Sequence, residues 1–377
     1  MTRPTVAEIH LPALRHNFRA LCSLIPNGTR MIAVVKANAY GHGAVPVALA
    51  LEAEGAAMLA VATVEEGIEL RRGGVRAPVL VFGEVDRIQA EEAHEHSLSA
   101  VLFDRRQAPV FDRVAQKNGR PFPIHVKVDT GMGRLGFTPE AALDFLAELP
   151  AYPGLKLEGW MTHLSSADGC AEEDHAFTKA QLSVFAEGAA RARKVCGFVT
   201  AHALNSAGII AFGDHAFDAV RPGIALYGYT TLSPGKVSVP LRPVMRIVSR
   251  VISIKDALDG YPVSYNRRFV CRGARRIAVV PIGYADGYRR GLTGHARMAV
   301  GGLTAEVAGT ICMDLTMLDV TGIPGVGVGS EVEIMGEASM TAAGIADICG
   351  TISYEILTGI GSRVPRRVID LPGEAAV

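Results

Sequence analysis

Residues 31–72 read MIAVVKANAYGHGAVPVALALEAEGAAMLAVATVEEGIELRR. An apolar, β-branched run, Met31–Val35, ends on Lys36 and turns through two glycines into a helix-like segment, Val45–Glu54. The pattern then repeats: Met58–Ala62 is a second apolar run, Thr63 is a cap, and Val64–Arg72 has helical spacing. A short continuous apolar strand followed by an amphipathic helix is one unit of a parallel sheet, because parallel strands need a crossover between them. The same alternation continues through Val79–Phe82, Ala100–Phe103, Ile124–Val128, Leu155–Trp160, Val199–Leu204 and Ala219–Leu226. Between these runs lie helix-like segments at Arg87–Glu95, Arg106–Asn118, Pro139–Glu148, Glu172–Lys194 and Ser206–Phe212, several of them opened by cap or turn residues such as Gly43, Asp104 and Thr138. Eight strands alternating with helices predict a (β/α)8 barrel of the TIM type.

The texture changes after Tyr227, where Ser233-Pro234-Gly235 breaks the alternation. The runs Val244–Ile254, Ile277–Tyr284, Met298–Val300, Ala305–Ile311, Leu315–Val320 and Glu331–Met335, separated by Gly or Pro turns, predict a mainly β module. Helix is expected there only at Thr341–Cys349 and after Ser353. The fold class is therefore α/β: a barrel domain over 1–235 and a mainly β C-terminal domain over 236–377.

Composition excludes several classes of function. The 38 basic and 38 acidic side chains cancel, so no overall field favours nucleic acid or an anionic membrane. No apolar stretch approaches the roughly 18 to 20 residues of a membrane span. Glu8, His10, Arg15 and His16 stand where a signal peptide would carry its apolar core, so a cytoplasmic location is expected. The six cysteines have no CxxC spacing, which argues against a zinc site, a redox pair or a disulfide framework; no metal is expected.

The residue that carries chemistry most visibly is Lys36. A strand-end lysine either snorkels to water or, once desolvated, becomes a neutral amine able to attack an aldehyde, and this segment alone leaves both open. VDTGMGRLG holds a literal GxGxxG at Gly131, Gly133 and Gly136, with Glu158 further on. A dinucleotide fingerprint belongs in the first βαβ unit of a doubly wound half, whereas this one follows the fifth strand and carries Arg134 inside the turn.

The blocks AVVKANAYGHG, VDTGMGRLG, HALNSAG, VRPGIALYG, VSYN, PIGYADGY, ICMDL and RVPRR occur in this order and span nearly the whole chain. In that set and order the sequence resembles the alanine racemases, enzymes with pyridoxal phosphate in a barrel followed by a β domain. The resemblance implies that Lys36 carries the cofactor as a Schiff base and acts as base toward the D-enantiomer. It assigns Tyr265 as the base toward the L-enantiomer, supplied by the partner subunit of a homodimer with shared sites. A free phenol holds its proton at neutral pH, so Tyr265 needs support, and His163 is expected to give it. Arg221 is implied to face the pyridine nitrogen, where a guanidinium disfavours ring protonation and so discourages long-lived carbanions.

By the same resemblance Arg134 contacts the cofactor's phenolic oxygen and the substrate carboxylate, with Lys127, carbamylated in many relatives, close by. Ser206, the backbone N–H groups of Gly223 and Ile224, and the phenols of Tyr40 and Tyr354 are implied to bind the phosphate; Asn205 and His202 rank below Ser206. The backbone of Met313 is a substrate contact. Tyr284 and Tyr354 narrow the channel, with Arg290, Arg366 and Asp314 in its charged outer part. Such a gate favours alanine, with serine second, and implies a supply of D-alanine for peptidoglycan.

Three positions depart from the family pattern: Asn266 stands in place of glycine, Thr310 in place of a basic residue, and Leu315 in place of a polar one. A fold-related decarboxylase is disfavoured by Arg221, where that class places a glutamate, and by the lack of a cysteine block with paired aspartates. A broad-specificity racemase would carry an export signal and a roomier entrance. A cofactor-homeostasis protein would have a barrel without the domain that holds Tyr265 and Met313.

Overall fold

Eight short parallel strands close on themselves in the computed structural model, which describes residues 3–233 and 239–370. The chain divides into two units, one of Leu14–Ala39 with Ala44–Leu241 and one of Met1–Ala13, Tyr40–Gly43 and Arg242–Val377. The boundary expected between 235 and 236, with Pro234-Gly235, lies outside the described residues.

Strand β1 (Val6–His10) belongs to the second unit. In the first unit, β2 (Arg30–Val34), β3 (Met58–Val61), β4 (Val79–Val81), β5 (Leu98–Leu102), β6 (Phe122–Lys127), β7 (Leu155–Met161), β8 (Thr200–His202) and β9 (Ala219–Val220) pair in chain order. β9 returns to β2 through Arg30 opposite Ala219, so the barrel expected from the alternation of runs is met. Its strands read as unbroken apolar runs because both faces are covered; every residue of β4 and β5 is buried. The helices are α1 (Leu11–Cys22), α2 (Lys36–Gly41), α3 (Ala44–Ala53), α4 (Val64–Arg72), α5 (Arg87–Glu95), α6 (Ala108–Asn118), α7 (Pro139–Glu148), α8 (Glu172–Cys196) and α9 (Ser206–Phe212). Thr63 with Glu66 and Asp86 with Gln89 form reciprocal capping boxes that fix where α4 and α5 begin. The eighth strand is shorter than the run Ala219–Leu226 suggests: Pro222 and Gly223 end it, and Ile224–Tyr227 forms a 3-10 turn.

The second unit holds a nine-stranded sheet with the order β11-β14-β17-β16-β15-β18-β10-β1-β19. These strands are β10 (Met245–Arg250), β11 (Ser253–Ala257), β14 (Arg275–Val280), β15 (Arg297–Val300), β16 (Leu303–Val307), β17 (Thr316–Asp319), β18 (Glu331–Met335) and β19 (Arg366–Ile369). A separate hairpin joins β12 (Pro262–Val263) to β13 (Phe269–Val270), and two helices follow, α10 (Ala342–Cys349) and α11 (Ser353–Thr358). The expected run Val244–Ile254 is two strands, β10 and β11, on different parts of the sheet.

The sequence reading did not anticipate β1, which lies between β10 and β19 with Glu8 in register with Arg246 on one side and Arg367 on the other. The buried Glu8 carboxylate accepts from Arg246 at 3.1 Å and from Arg367. A hydrogen bond from His10 and these two guanidiniums hold its carboxyl at about 2 against the opposing effect of burial. No helix of the described residues is long and apolar enough to cross a membrane.

Within the barrel, the backbone of Gly159 on β7 passes directly under the His125 ring on β6, and a Cβ at 159 would collide with that ring. Gly159→Ala is expected to destabilise the chain by about 1 to 3 kcal/mol through overpacking. Urea unfolding would show a lower midpoint with the slope kept; an unchanged midpoint would mean that the His125 ring moves aside without cost.

Candidate active site

Side chains and loops at the C-terminal ends of the barrel strands converge on one mouth, the face where barrels of this architecture carry their chemistry. Lys36 follows β2 and is half-buried. The backbone after it is unusual: Ala37, Asn38, Ala39 and Tyr40 have φ of 53°, 54°, 52° and 52°, so α2 is a left-handed turn built without glycine until Gly41. Left-handed conformation costs an L-residue about 1 to 2 kcal/mol, so local contacts must impose it. The Ala37 N–H donates to Glu66 Oε1 at 2.6 Å, the Ala39 N–H to the Val35 carbonyl at 2.8 Å, and the Ala44 N–H to Asn38 Oδ1 at 2.7 Å. Glu66 also accepts from the Ala62 N–H at 2.7 Å, which ties the turn at Lys36 to the end of β3. Sequence reasoning missed this role of Glu66, although the capping spacing from Thr63 was the available signal. Burial lowers the Lys36 ammonium pKa and Arg134 adds to that, while Glu66 partly offsets it.

Arg221 follows β9 and is 3% exposed. Its Nη1 donates to the His202 carbonyl at 2.6 Å and to His202 Nδ1 at 2.9 Å. Its Nη2 donates to the carbonyls of Thr162 and Ala203 at 2.6 and 3.0 Å, with His163 Nδ1 at 3.4 Å. Among the described residues its Nε–H has no hydrogen-bond partner, and no carboxylate pairs with Arg221. Burial pulls it down to about 9, which still leaves it charged at neutral pH.

That charge adds to the effect of burial on its neighbours. His163 and His202 are held well below the ordinary histidine value by burial first and by Arg221 second. Lys127, at the end of β6, is held at about 8 by burial, then by Arg134 and Arg221. Arg134 lies in the exposed loop after β6, where Asp129 Oδ1 accepts from the N–H groups of Gly131 and Gly133 at 3.0 and 3.1 Å. Gly131, Gly133 and Gly136 of the apparent GxGxxG have φ of 136°, 69° and 129°, so the glycines serve a tight turn around Asp129.

Ser206 opens α9, and its Oγ accepts from the N–H groups of Gly223 and Ala225 at 2.8 and 3.2 Å. The Gly223 N–H is therefore spent on Ser206, and the donors left to a ligand here are the Ser206 hydroxyl proton and the Ile224 N–H. Asn205 is a helix cap, accepting from the Gly208 N–H at 2.9 Å.

The remaining expected residues lie in the second unit. Tyr40 and Tyr354 come together with ring centroids 5.8 Å apart, and burial pushes the Tyr40 phenol up. Tyr265 is 67% exposed on a turn in which Ser264, Asn266 and Arg267 have φ of 66°, 60° and 51°. Asparagine tolerates this region, so Asn266 supplies the backbone that glycine would. Ser264 Oγ donates to the Thr310 carbonyl at 2.6 Å and Thr310 Oγ1 to the Tyr265 carbonyl at 3.3 Å, latching the Tyr265 turn to the segment before Met313. Met313 is 52% exposed and Leu315 is exposed nearby. Asp314 pairs with Arg363 at 2.6 Å, and Tyr284 and Arg290 are exposed. Arg366 differs from the expectation of a channel charge: its guanidinium donates to the carbonyls of Gly41, Ile360, Gly361 and Val364, a clamp on backbone. Among the described residues no cluster of His, Cys, Asp or Glu could hold a metal ion.

Residues 9–231 match the family model of the alanine racemase N-terminal domain, and residues 244–368 that of the alanine racemase C-terminal domain. The chain is 43% identical over 375 residues to the alanine racemase of Geobacter sp. (strain M21), covering 97% of this chain and 99% of the relative. Among solved structures it is similar to the alanine racemase of Clostridium difficile 630, with a TM-score of 0.91, 35% identity and coverage of 98% and 97%. It is also similar to the alanine racemase of Bacillus anthracis with bound L-Ala-P, with a TM-score of 0.87, 33% identity and coverage of 98% and 96%.

The depressed Lys127 has a consequence for stability. Folded Lys127 titrates at about 8 and an unfolded lysine at its ordinary 10.5, so between these values the unfolded chain binds the extra proton and stability rises with pH. Lys127→Met is therefore expected to stabilise the protein more at pH 7 than at pH 10.5, measured by chemical unfolding with carbon dioxide excluded. An equal gain at both values would mean that Lys127 titrates in the folded protein as it does in the unfolded chain, and that burial does not lower it.

Proposed function

The chain belongs to the alanine racemase family, and from that premise we propose that it interconverts L- and D-alanine with pyridoxal phosphate, by a two-base mechanism, as a cytoplasmic homodimer that supplies D-alanine for peptidoglycan. The observation that carries the reading is Arg221. A guanidinium can only donate, its Nη groups are consumed by carbonyls and His202, and the free Nε–H suits an unprotonated pyridine nitrogen. The other donors suit the same group: the Lys36 amine for its aldehyde, and the Ser206 hydroxyl and Ile224 N–H for its phosphate, with the phenols of Tyr40 and Tyr354 added.

When bound, pyridoxal phosphate supplies a conjugated ring into which the electron pair left at an α-carbon can spread. Arg221, which can only donate, would leave the ring nitrogen without a proton and so would restrain how much charge the ring draws off. Lys36 Nζ takes or returns the α-proton on one face, and its lowered pKa keeps a share of it neutral for that task. Tyr265 Oη serves the opposite face, and the neutral His163 beside Arg221 supports its proton balance. Arg134 and the Met313 N–H hold the substrate carboxylate. Lys127 is poised to take up carbon dioxide as a carbamate, since the neutral amine is the reactive form and about 8 is close to working pH. Tyr284, Tyr354, Arg290 and Asp314 line the entrance in this reading. The exposure of Tyr265 and Met313 supports their service to another protomer's site.

Purified protein incubated with pyridoxal phosphate and L-alanine should form D-alanine rapidly by chiral chromatography, with little change in L-serine, L-lysine or L-ornithine. Carbon dioxide released from a longer substrate without D-alanine would transfer the chain to the decarboxylases. Lys36→Ala should abolish both directions. Tyr265→Phe should slow proton removal from L-alanine by about 10²- to 10⁴-fold and from D-alanine less, and equal losses would sink the two-base assignment. Specific activity should fall on dilution below the dimer's dissociation range; a demonstrated monomer with full activity would overturn the shared site.

A further inference from the structure

The N-terminal end of the barrel, opposite the catalytic mouth, opens into a cavity of about 410 Å3. Small barrels normally fill their interior with aliphatic layers. Here Arg30 at the start of β2 and Thr200 at the start of β8 stand over apolar walls that include Ile32, Met58 and Leu157, and His125 lies at the inner end.

The protonation of His125 follows from its neighbours. Arg221 Nη1 can only donate, so His202 Nδ1 accepts, and the neutral His202 ring carries its proton on Nε2. That proton is donated to His125 Nδ1 at 2.8 Å. His125 is likewise neutral, held at about 3 by burial and then by Arg221 and Arg30, so its own proton sits on Nε2. Nε2 is buried and has no hydrogen-bond partner, in a residue 1% exposed that borders the cavity. A buried donor without an acceptor costs about 1 to 3 kcal/mol, so the cavity is built to receive an acceptor.

The charges choose the kind of acceptor. Lys156 is neutralised by Glu158 at 2.7 Å, whereas Arg30 forms no ion pair among the described residues. The Arg30 guanidinium is fixed by Thr200 Oγ1 at 2.7 Å and by the Phe198 ring, 5.7 Å from its centroid. The excess is one positive charge above an apolar wall.

We propose that this cavity is a second ligand site, for a small carboxylate with an apolar body whose oxygens accept from His125 Nε2 and Arg30. The site is separate from the catalytic mouth and linked to it only through His125, His202 and Arg221.

The test is a butyrate titration of the pyridoxal-phosphate-loaded protein, labelled with 15N in its histidine rings. The His125 Nε2–H signal is assigned by its loss in His125→Gln. Its shift should saturate with butyrate, and Arg30→Gln should weaken the apparent affinity at least tenfold, as expected for a lost charge-assisted hydrogen bond. Arg30→Lys should restore part of it, and the histidine spectrum without ligand reports whether each variant is folded. A non-saturating shift that chloride reproduces, an unmoved His125 signal, or equal affinity in Arg30→Gln would overturn the proposal and leave the cavity to water. No readout depends on racemisation, so this result stands apart from the outcome of the reaction assay.

Discussion

A guanidinium buried at the end of the eighth barrel strand, with no carboxylate to neutralise it, sets the terms for the chemistry around it. An isolated charge in such a place is costly unless every donor but one finds an acceptor, and the Arg221 Nη groups find the carbonyls of Thr162, His202 and Ala203. Those carbonyls belong to the ends of β7 and β8 and the residues just beyond them, so the charge also fixes the rim from which the site is built. Burial first, and this cation after it, keep His163, His202 and His125 neutral and, together with Arg134, lower Lys127. Burial and this one side chain thus act in the same direction on four others. A glutamate at this place would reverse the pattern, drawing protons toward the histidines.

The second constraint is backbone strain next to Lys36. Four consecutive non-glycine residues in the left-handed region are held by Glu66, Val35 and Asn38, and the turn closes at Gly41, where a side chain would strike the Leu357 carbonyl. A relaxed right-handed helix would carry Lys36 and Tyr40 in other directions. Strain of this kind persists only where surrounding contacts over-determine it, and here they come from β3, α4 and α3.

Much of this was legible in the sequence, and the gaps have physical causes. The eight barrel strands announce themselves because a parallel sheet covered on both faces must be continuously apolar. Strand β1 did not, because Glu8 interrupts its apolar run and is acceptable only between Arg246 and Arg367, which lie more than two hundred residues away in the chain. The left-handed turn was invisible for the opposite reason: Ala37-Asn38-Ala39-Tyr40 has no glycine, so nothing local marks a positive φ. The block RVPRR identified Arg366 correctly as a motif residue, but a motif does not say whether a guanidinium faces solvent or four backbone carbonyls. Asn266 looked like a defect in its block and is instead a residue able to adopt the required φ of 60°.

The division of labour between the two units follows from what each can offer. In the barrel mouth, burial, with Arg134 after it, lowers the Lys36 ammonium pKa. Tyr265 is carried instead on the β unit, on a turn braced by Ser264 and Thr310, with Met313 close along the same latch. The price of that arrangement is exposure: both residues remain largely open to solvent in the single chain, and the reaction proposed here is complete only where another copy presents them.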